Sequence, residues 1–235
     1  RIKGSGSDLK SIEARHFPSI RLEDITPLLL REEMSDEEMV EYLEMCLMDP
    51  HSFRPSIETL LHAFLPHASV VHSHADAIVS ITNTTRPIEL LKEVYGDAVA
   101  PVGYRRPGFD LAKEVAQVVS EHDHLRGVVL LNHGLITWGT TPLESYDAHI
   151  QLVTKAEEFV ESQRNGTRAI GAMTTPAFET ENRSAIASSI APTIRGLISN
   201  QVRSVLKYDD SDEILVFTGS SRAKELSELG PATPD

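Results

Sequence analysis

His72 and His74 stand two residues apart within Ala68-Ser-Val-Val-His-Ser-His74, a short β-branched run that reads as a strand. Side chains alternate along a strand, so both imidazoles fall on one face, close enough to share an ion, and Ser73 points the other way. His133 follows an apolar run, Gly127-Val-Val-Leu-Leu131, that has the pattern of a central strand, and Gly134 follows it. Strand ends of α/β sheets are where sites gather. A third imidazole there would complete the open, three-ligand arrangement of a catalytic divalent metal, with room left for substrate. Taken singly, such a pair is more often two polar side chains near a strand end, and a lone histidine at 133 more often structural. With Cys46 as the one cysteine, a closed zinc site of the thiolate type is excluded.

Glu58 lies fourteen residues before His72. One helix can therefore run back beside the strand that carries the pair, which would bring a carboxylate to the metal as a base able to reach a substrate proton. Glu58 also sits in the first turn of its expected helix, where the dipole alone favours a carboxylate. His62, four residues on, shares its face and reads either as a hydrogen-bond partner to Glu58 or as a helix-surface residue. His16, His51, His67, His122, His124 and His149 fall in loops or on polar helix faces and are expected at the surface. Residues 3–8, Lys-Gly-Ser-Gly-Ser-Asp, form a glycine-serine loop that could offer N–H groups and hydroxyls to an anion, or serve only as a turn.

The elements that must position these groups are legible in outline. Ser35-Asp-Glu-Glu38 is a capping box, and Val40, Leu43 and Leu47 recur at helical spacing, predicting a helix from about 36 to 48. Ser56 is expected to cap a second helix through about Leu65, with Ile57, Leu60, Leu61 and Phe64 as its buried stripe, and Pro66 ends it. Ala75 to Ile81 and Phe109 to about Glu121 read as helices, and Thr141-Pro-Leu-Glu144 opens a long one to about Glu161. The alternation implies an α/β domain. Past Arg164-Asn-Gly166 the pattern changes to a helix over about 181–198 and then two strands split by Asp209-Asp-Ser-Asp-Glu213, whose acidic turn lacks the glycine and terminal glutamate of a calcium loop.

The 235 residues suffice for one domain and an appendage. Lys and Arg total 22 against 35 Asp and Glu, and the net charge of -13 makes nucleic acid and anionic membrane surfaces poor partners. A lone cysteine, expected buried in the 36–48 helix, fits a reducing, cytoplasmic compartment, and no apolar run reaches the length of a membrane span. The chain opens without methionine and stops at Gly230-Pro-Ala-Thr-Pro-Asp235, so it is expected to be part of a longer one.

Ser56-Ile-Glu58, Val71-His-Ser-His74-Ala and Leu131-Asn-His-Gly134, in that order and spacing, resemble the class II aldolase/adducin family over roughly residues 1–165. The resemblance implies a three-layer fold with a central mixed sheet flanked by helices, here extended by a C-terminal helix plus hairpin. It also implies His72, His74 and His133 as ligands of zinc or another divalent ion, and Glu58 as the catalytic acid/base. Lys3-Gly-Ser-Gly-Ser-Asp-Leu9, the stretch Arg54 to Leu65 and Arg106-Pro-Gly-Phe-Asp-Leu-Ala112 are similar to the aldolase half of bifunctional rhamnulose-1-phosphate aldolase/short-chain dehydrogenase proteins. By that similarity Ser5, Gly6 and Ser56 would contact a substrate phosphate, and Tyr104 would act as a proton donor in a neighbouring subunit of a homotetramer. Residues 1–165 would be the aldolase-type domain, and 166–235 an extension or linker toward a dehydrogenase domain. The activity implied is cleavage of a ketose 1-phosphate to dihydroxyacetone phosphate and a short aldehyde. The same motifs also serve sugar-phosphate epimerases, decarboxylases and dehydratases, and the adducin branch uses the fold as a non-catalytic scaffold.

Overall fold

A computed structural model of the chain describes residues 1–164, 171–199 and 202–229. It resolves into two compact units, 1–163 and 164–231. The expected boundary at 165–166 and the segment 230–235 lie outside the described residues.

The first unit is built on a four-stranded sheet of order β1-β4-β3-β2, with β1 Ser69–Ser73, β2 Val99–Val102, β3 Gly127–Leu130 and β4 Gly134–Gly139. β2 and β3 run parallel, while β4 is antiparallel to both β3 and β1, so the sheet is mixed, as expected. Ahead of it come α1 (Leu22–Ile25), α2 (Asp36–Met45) and α3 (Thr59–Ala63). Between strands lie α4 (Asp76–Thr82), α5 (Pro87–Tyr95) and α6 (Phe109–Glu121), and α7 (Pro142–Gln163) closes the unit.

β3 shows why the fold has three layers. Val128, Val129 and Leu130 are all buried, which requires cover on both faces. Val128, Leu130 and Ile136 pack with Leu60, Leu61 and Phe64 around α3 and with Phe109, Leu111 and Val115 of α6. Val129 and Leu135 face the opposite way, onto Ile78 of α4, Leu91 of α5 and Leu152 of α7. The alternation of strand side chains thus divides one apolar core into two.

Local chemistry moved several expected boundaries. The Ser35 hydroxyl accepts from the Glu38 N–H at 3.1 Å, so α2 begins as predicted, but it ends at Met45 rather than near 48. The second helix is much shorter than 56–65. The Ser56 hydroxyl accepts from the Glu58 N–H at 3.2 Å, and the Ser56 carbonyl accepts from the Thr59 hydroxyl at 2.6 Å, which makes a turn where a helix was expected. Ile57 consequently leaves the buried stripe and is 37% exposed.

The described part of the second unit is helical, with α8 (Thr180–Ile198), α9 (Asp212–Thr218) and α10 (Ala223–Glu228). The expected hairpin around Asp209–Glu213 is absent among the described residues. Ser211 stands at the N-cap of α9, and Asp212 and Glu213 occupy its first turn, where the helix dipole favours carboxylates. The Ile214-Leu-Val-Phe217 run that reads as a strand therefore coils. No helix among the described residues is long and apolar enough to cross a membrane.

Candidate metal centre

The centre forms at one end of the sheet, where the close of β1, the β3–β4 turn and the start of α3 meet. His72 lies opposite Ile136 and Ser73 opposite Leu135 in the β1–β4 register. His72 and His74 then project on one side, rings 5.0 Å apart, with their Nε2 atoms separated by 3.1 Å. A carbonyl oxygen only accepts, so the contact of His72 Nδ1 with the Leu135 carbonyl at 3.0 Å places the hydrogen on Nδ1. Nε2 is thereby turned into the cluster, the arrangement that fixes tautomer and ring direction in metal-binding histidines.

His133 arrives through a three-residue turn, Leu131-Asn132-His133, in which Asn132 adopts a left-handed φ of 58°. Asparagine tolerates that conformation better than most residues, and its amide donates to Asn83 Oδ1 at 2.7 Å. The turn brings His133, 1% exposed, to a ring distance of 5.0 Å from His72 and 4.7 Å from His74. Gly134 next to it passes the β1 backbone so closely that a Cβ would run into the Ser73 carbonyl.

Glu58 enters from the N-cap of α3. Its Oε1 lies 3.0 Å from His133 Nε2 and 3.1 Å from His72 Nε2. Burial alone raises this carboxyl, but hydrogen bonds from His133 and His72, together with their charge, outweigh it and hold the group far below the ordinary carboxylate range. The cause is thus the imidazoles, whereas the helix dipole was the expectation.

One ligand atom from each of Glu58, His72, His74 and His133 lies within 4.8 Å of the other three. Nitrogens bound at 2.0–2.1 Å to a tetrahedral ion sit about 3.3 Å from one another, so the spacing suits such an ion. Three imidazole nitrogens with no thiolate fit a borderline divalent metal, and the Glu58 carboxylate lies beside them. This cluster is the only such group of three or more among the described residues.

The remaining expected site residues fall in two places. The loop at residues 3–7 pairs with the segment before α3: the Ser5 N–H donates to the Arg54 carbonyl at 2.8 Å and the Ser56 N–H to the Lys3 carbonyl at 3.2 Å. Ser5, Gly6 and Ser56 are thus brought together two residues ahead of Glu58. Tyr104 is not joined to them. It is 43% exposed in the loop between β2 and α6, and no hydrogen bond links it to the cluster among the described residues.

The His62 backbone N–H donates to the Glu58 carbonyl at 3.3 Å, while its ring hydrogen-bonds the Val70 backbone, and burial first, then the charge of His72, lowers it to about 4. His67 stacks on Trp138 at 5.3 Å. His149, expected at the surface, is 5% exposed beneath β1 and β4. The missed signal was its place in the stripe Ser145, His149, Leu152, Ala156, which is the buried face of α7.

Comparison with known proteins agrees with this geometry. The class II aldolase and adducin N-terminal domain matches residues 1–160, and the aldolase class II second domain matches residues 185–235. A Bacillus subtilis (strain 168) protein, the uncharacterized oxidoreductase YuxG, is 41% identical over 234 residues, 100% of this chain but 34% of that protein. The chain thus spans about a third of its relative's length. The N-terminal class II aldolase domain of a conserved Thermoplasma acidophilum protein is 46% identical with a TM-score of 0.63, covering 67% of this chain and 73% of that one. With the family's N-terminal domain matched across the sheet, its flanking helices and the histidine cluster, the chain belongs to the class II aldolase and adducin family.

Proposed function

We propose that the protein is a metal-dependent aldolase that cleaves a ketose 1-phosphate of the rhamnulose or fuculose type to dihydroxyacetone phosphate and a short aldehyde. The observation that carries this reading is the convergence of Glu58 on three imidazoles within 4.8 Å. His72, His74 and His133 hold the ion, zinc or another divalent metal, in an open three-ligand arrangement. When bound, such an ion supplies Lewis-acid polarisation of a carbonyl.

Retro-aldol cleavage breaks a carbon–carbon bond, removes a hydroxyl proton from the aldehyde half and returns a proton to the ketone half. Glu58, held as a carboxylate beside the imidazoles, exchanges the carbon-bound proton. Ser5, Gly6 and Ser56 bind the phosphate. The Ser5 and Ser56 N–H groups are taken by backbone carbonyls and the Ser56 oxygen accepts from the Glu58 N–H, so the two hydroxyl hydrogens and the Gly6 N–H are the donors offered to phosphate oxygens. Tyr104, exposed in its own chain, serves in a neighbouring subunit of a tetramer, accepting the hydroxyl proton in cleavage and donating it in the reverse addition. Residues 1–165 act as the catalytic domain, and 166–235 lead toward a short-chain dehydrogenase domain in a longer, cytoplasmic protein. The oxidoreductase name of its longer relative supports that arrangement.

Metal content measured on the same preparation as product analysis with rhamnulose and fuculose 1-phosphates tests the reading. Metal-dependent release of dihydroxyacetone phosphate is expected. An epimerised, decarboxylated or dehydrated product, or full metal occupancy without turnover, would overturn it.

A further inference from the structure

On the face of β1 opposite the imidazoles, hydrogen bonds run from the strand into α7. Ser73 Oγ lies 2.7 Å from His149 Nε2, and His149 Nδ1 lies 3.0 Å from Thr137 Oγ1. The Thr137 hydroxyl donates its one hydrogen to the Ser145 carbonyl at 3.0 Å. Its oxygen can therefore only accept from His149, which puts the ring hydrogen on Nδ1 and leaves Nε2 to accept the Ser73 hydroxyl hydrogen. The line has a single direction, from Ser73 through a neutral imidazole to Thr137 and Ser145, with each donor matched to an acceptor. Ser69 Oγ, at 2.6 Å from Ser145 Oγ, ties the other end of β1 to the same helix.

We propose that His149 is a positioning residue of the metal centre, fixing the β1 backbone at Ser73, the residue between His72 and His74 in the chain. This rests on the reading of the cluster as a metal site. β1 is the edge strand of the sheet, paired with β4 as its one strand neighbour among the described residues, and Ser73↔Leu135 is its last pair. At that pair the strand is gripped from two directions: Gly134 abuts the Ser73 carbonyl, and His149 takes the Ser73 hydroxyl. A rotation of the strand about this point would displace both imidazoles at once and pull His72 Nδ1 from the Leu135 carbonyl. Ligand geometry is thereby set from the far side of the sheet by a residue that touches neither the ion nor substrate.

The test uses four variants of the whole chain and zinc as probe, with affinity read by competition against a chromophoric chelator and folding checked by circular dichroism. Ser73→Ala removes the hydroxyl and Ser73→Thr keeps it. His149→Asn keeps a donor where Nδ1 meets Thr137 but is too short for Ser73, whereas His149→Gln reaches Ser73. Ser73→Ala and His149→Asn are expected to weaken zinc binding about 10–100-fold, the usual effect of losing a support behind a ligand, while Ser73→Thr and His149→Gln stay within a few-fold of the parent. Folded Ser73→Ala protein with parental affinity would overturn the proposal. So would affinities that follow melting temperature across all four variants instead of the Ser73 contact. A parent protein that takes up no zinc would instead refute the metal reading itself, and this inference with it. Should His149→Asn fail to fold, the Ser73 pair decides alone.

Discussion

Gly134 and Ser73 are neighbours across the β1–β4 pairing at a distance that only a hydrogen on Cα permits. A methyl group on Gly134 would overlap the Ser73 carbonyl oxygen and come within 3.2 Å of His72 Cε1. The backbone cannot step aside without disturbing the last strand pair. Gly134→Ala is therefore expected to cost about 1–3 kcal/mol of stability, the usual range for overpacking, and to weaken metal binding. Chemical denaturation and zinc titration of the same variant check both effects.

Glu58→Gln keeps the side-chain volume and removes the base. Cleavage is expected to fall by about 100- to 10,000-fold, the usual contribution of a positioned acid or base, with metal content unchanged because the three imidazoles remain. Unchanged turnover in the metal-replete Glu58→Gln variant would remove Glu58 from the chemistry.

A ligand that binds only the folded chain stabilises it by mass action. Zinc at about 100 times its dissociation constant should raise the unfolding free energy of metal-stripped protein by about 2.7 kcal/mol. The same addition to His72→Ala should have little effect. Thermal scans with and without a chelator read the difference directly.

Burial first, and then the charge of His72, lowers His149 from its ordinary value near 6.5 to about 4. The folded chain thus holds this ring neutral, and acid favours the unfolded chain. The contribution is complete above about pH 6.5 and is lost progressively as pH falls toward 4, for a total of about 3 kcal/mol. Urea midpoints between pH 7.5 and 4.5 should show this loss, and His149→Gln should flatten that part of the profile.

The sequence is most legible where one period governs. The two-residue spacing of His72 and His74 put both rings on one face, and the all-apolar Val128-Val-Leu130 run required a covered strand. Glu58 and His133 were candidates by position alone, since only tertiary closure brings residues so distant in sequence to hydrogen-bonding distance. His149 was misread because histidine is polar, although its spacing from Leu152 and Ala156 places it on the buried face of α7. In the second unit, β-branched Ile214 and Val216 argued for a strand, and a helix with Asp212 and Glu213 in its first turn stands there instead.

Glu58 and His133 are 75 residues apart in the chain, and the hydrogen bond between them spans the whole β1-to-β4 closure. Contacts of that separation form late in folding, after the loop-closure entropy has been overcome. A nascent chain that has emerged only as far as His74 carries two imidazoles and a carboxylate but no defined pocket for an ion. The four donors therefore come together only in a polypeptide whose β3–β4 turn has already docked beside β1.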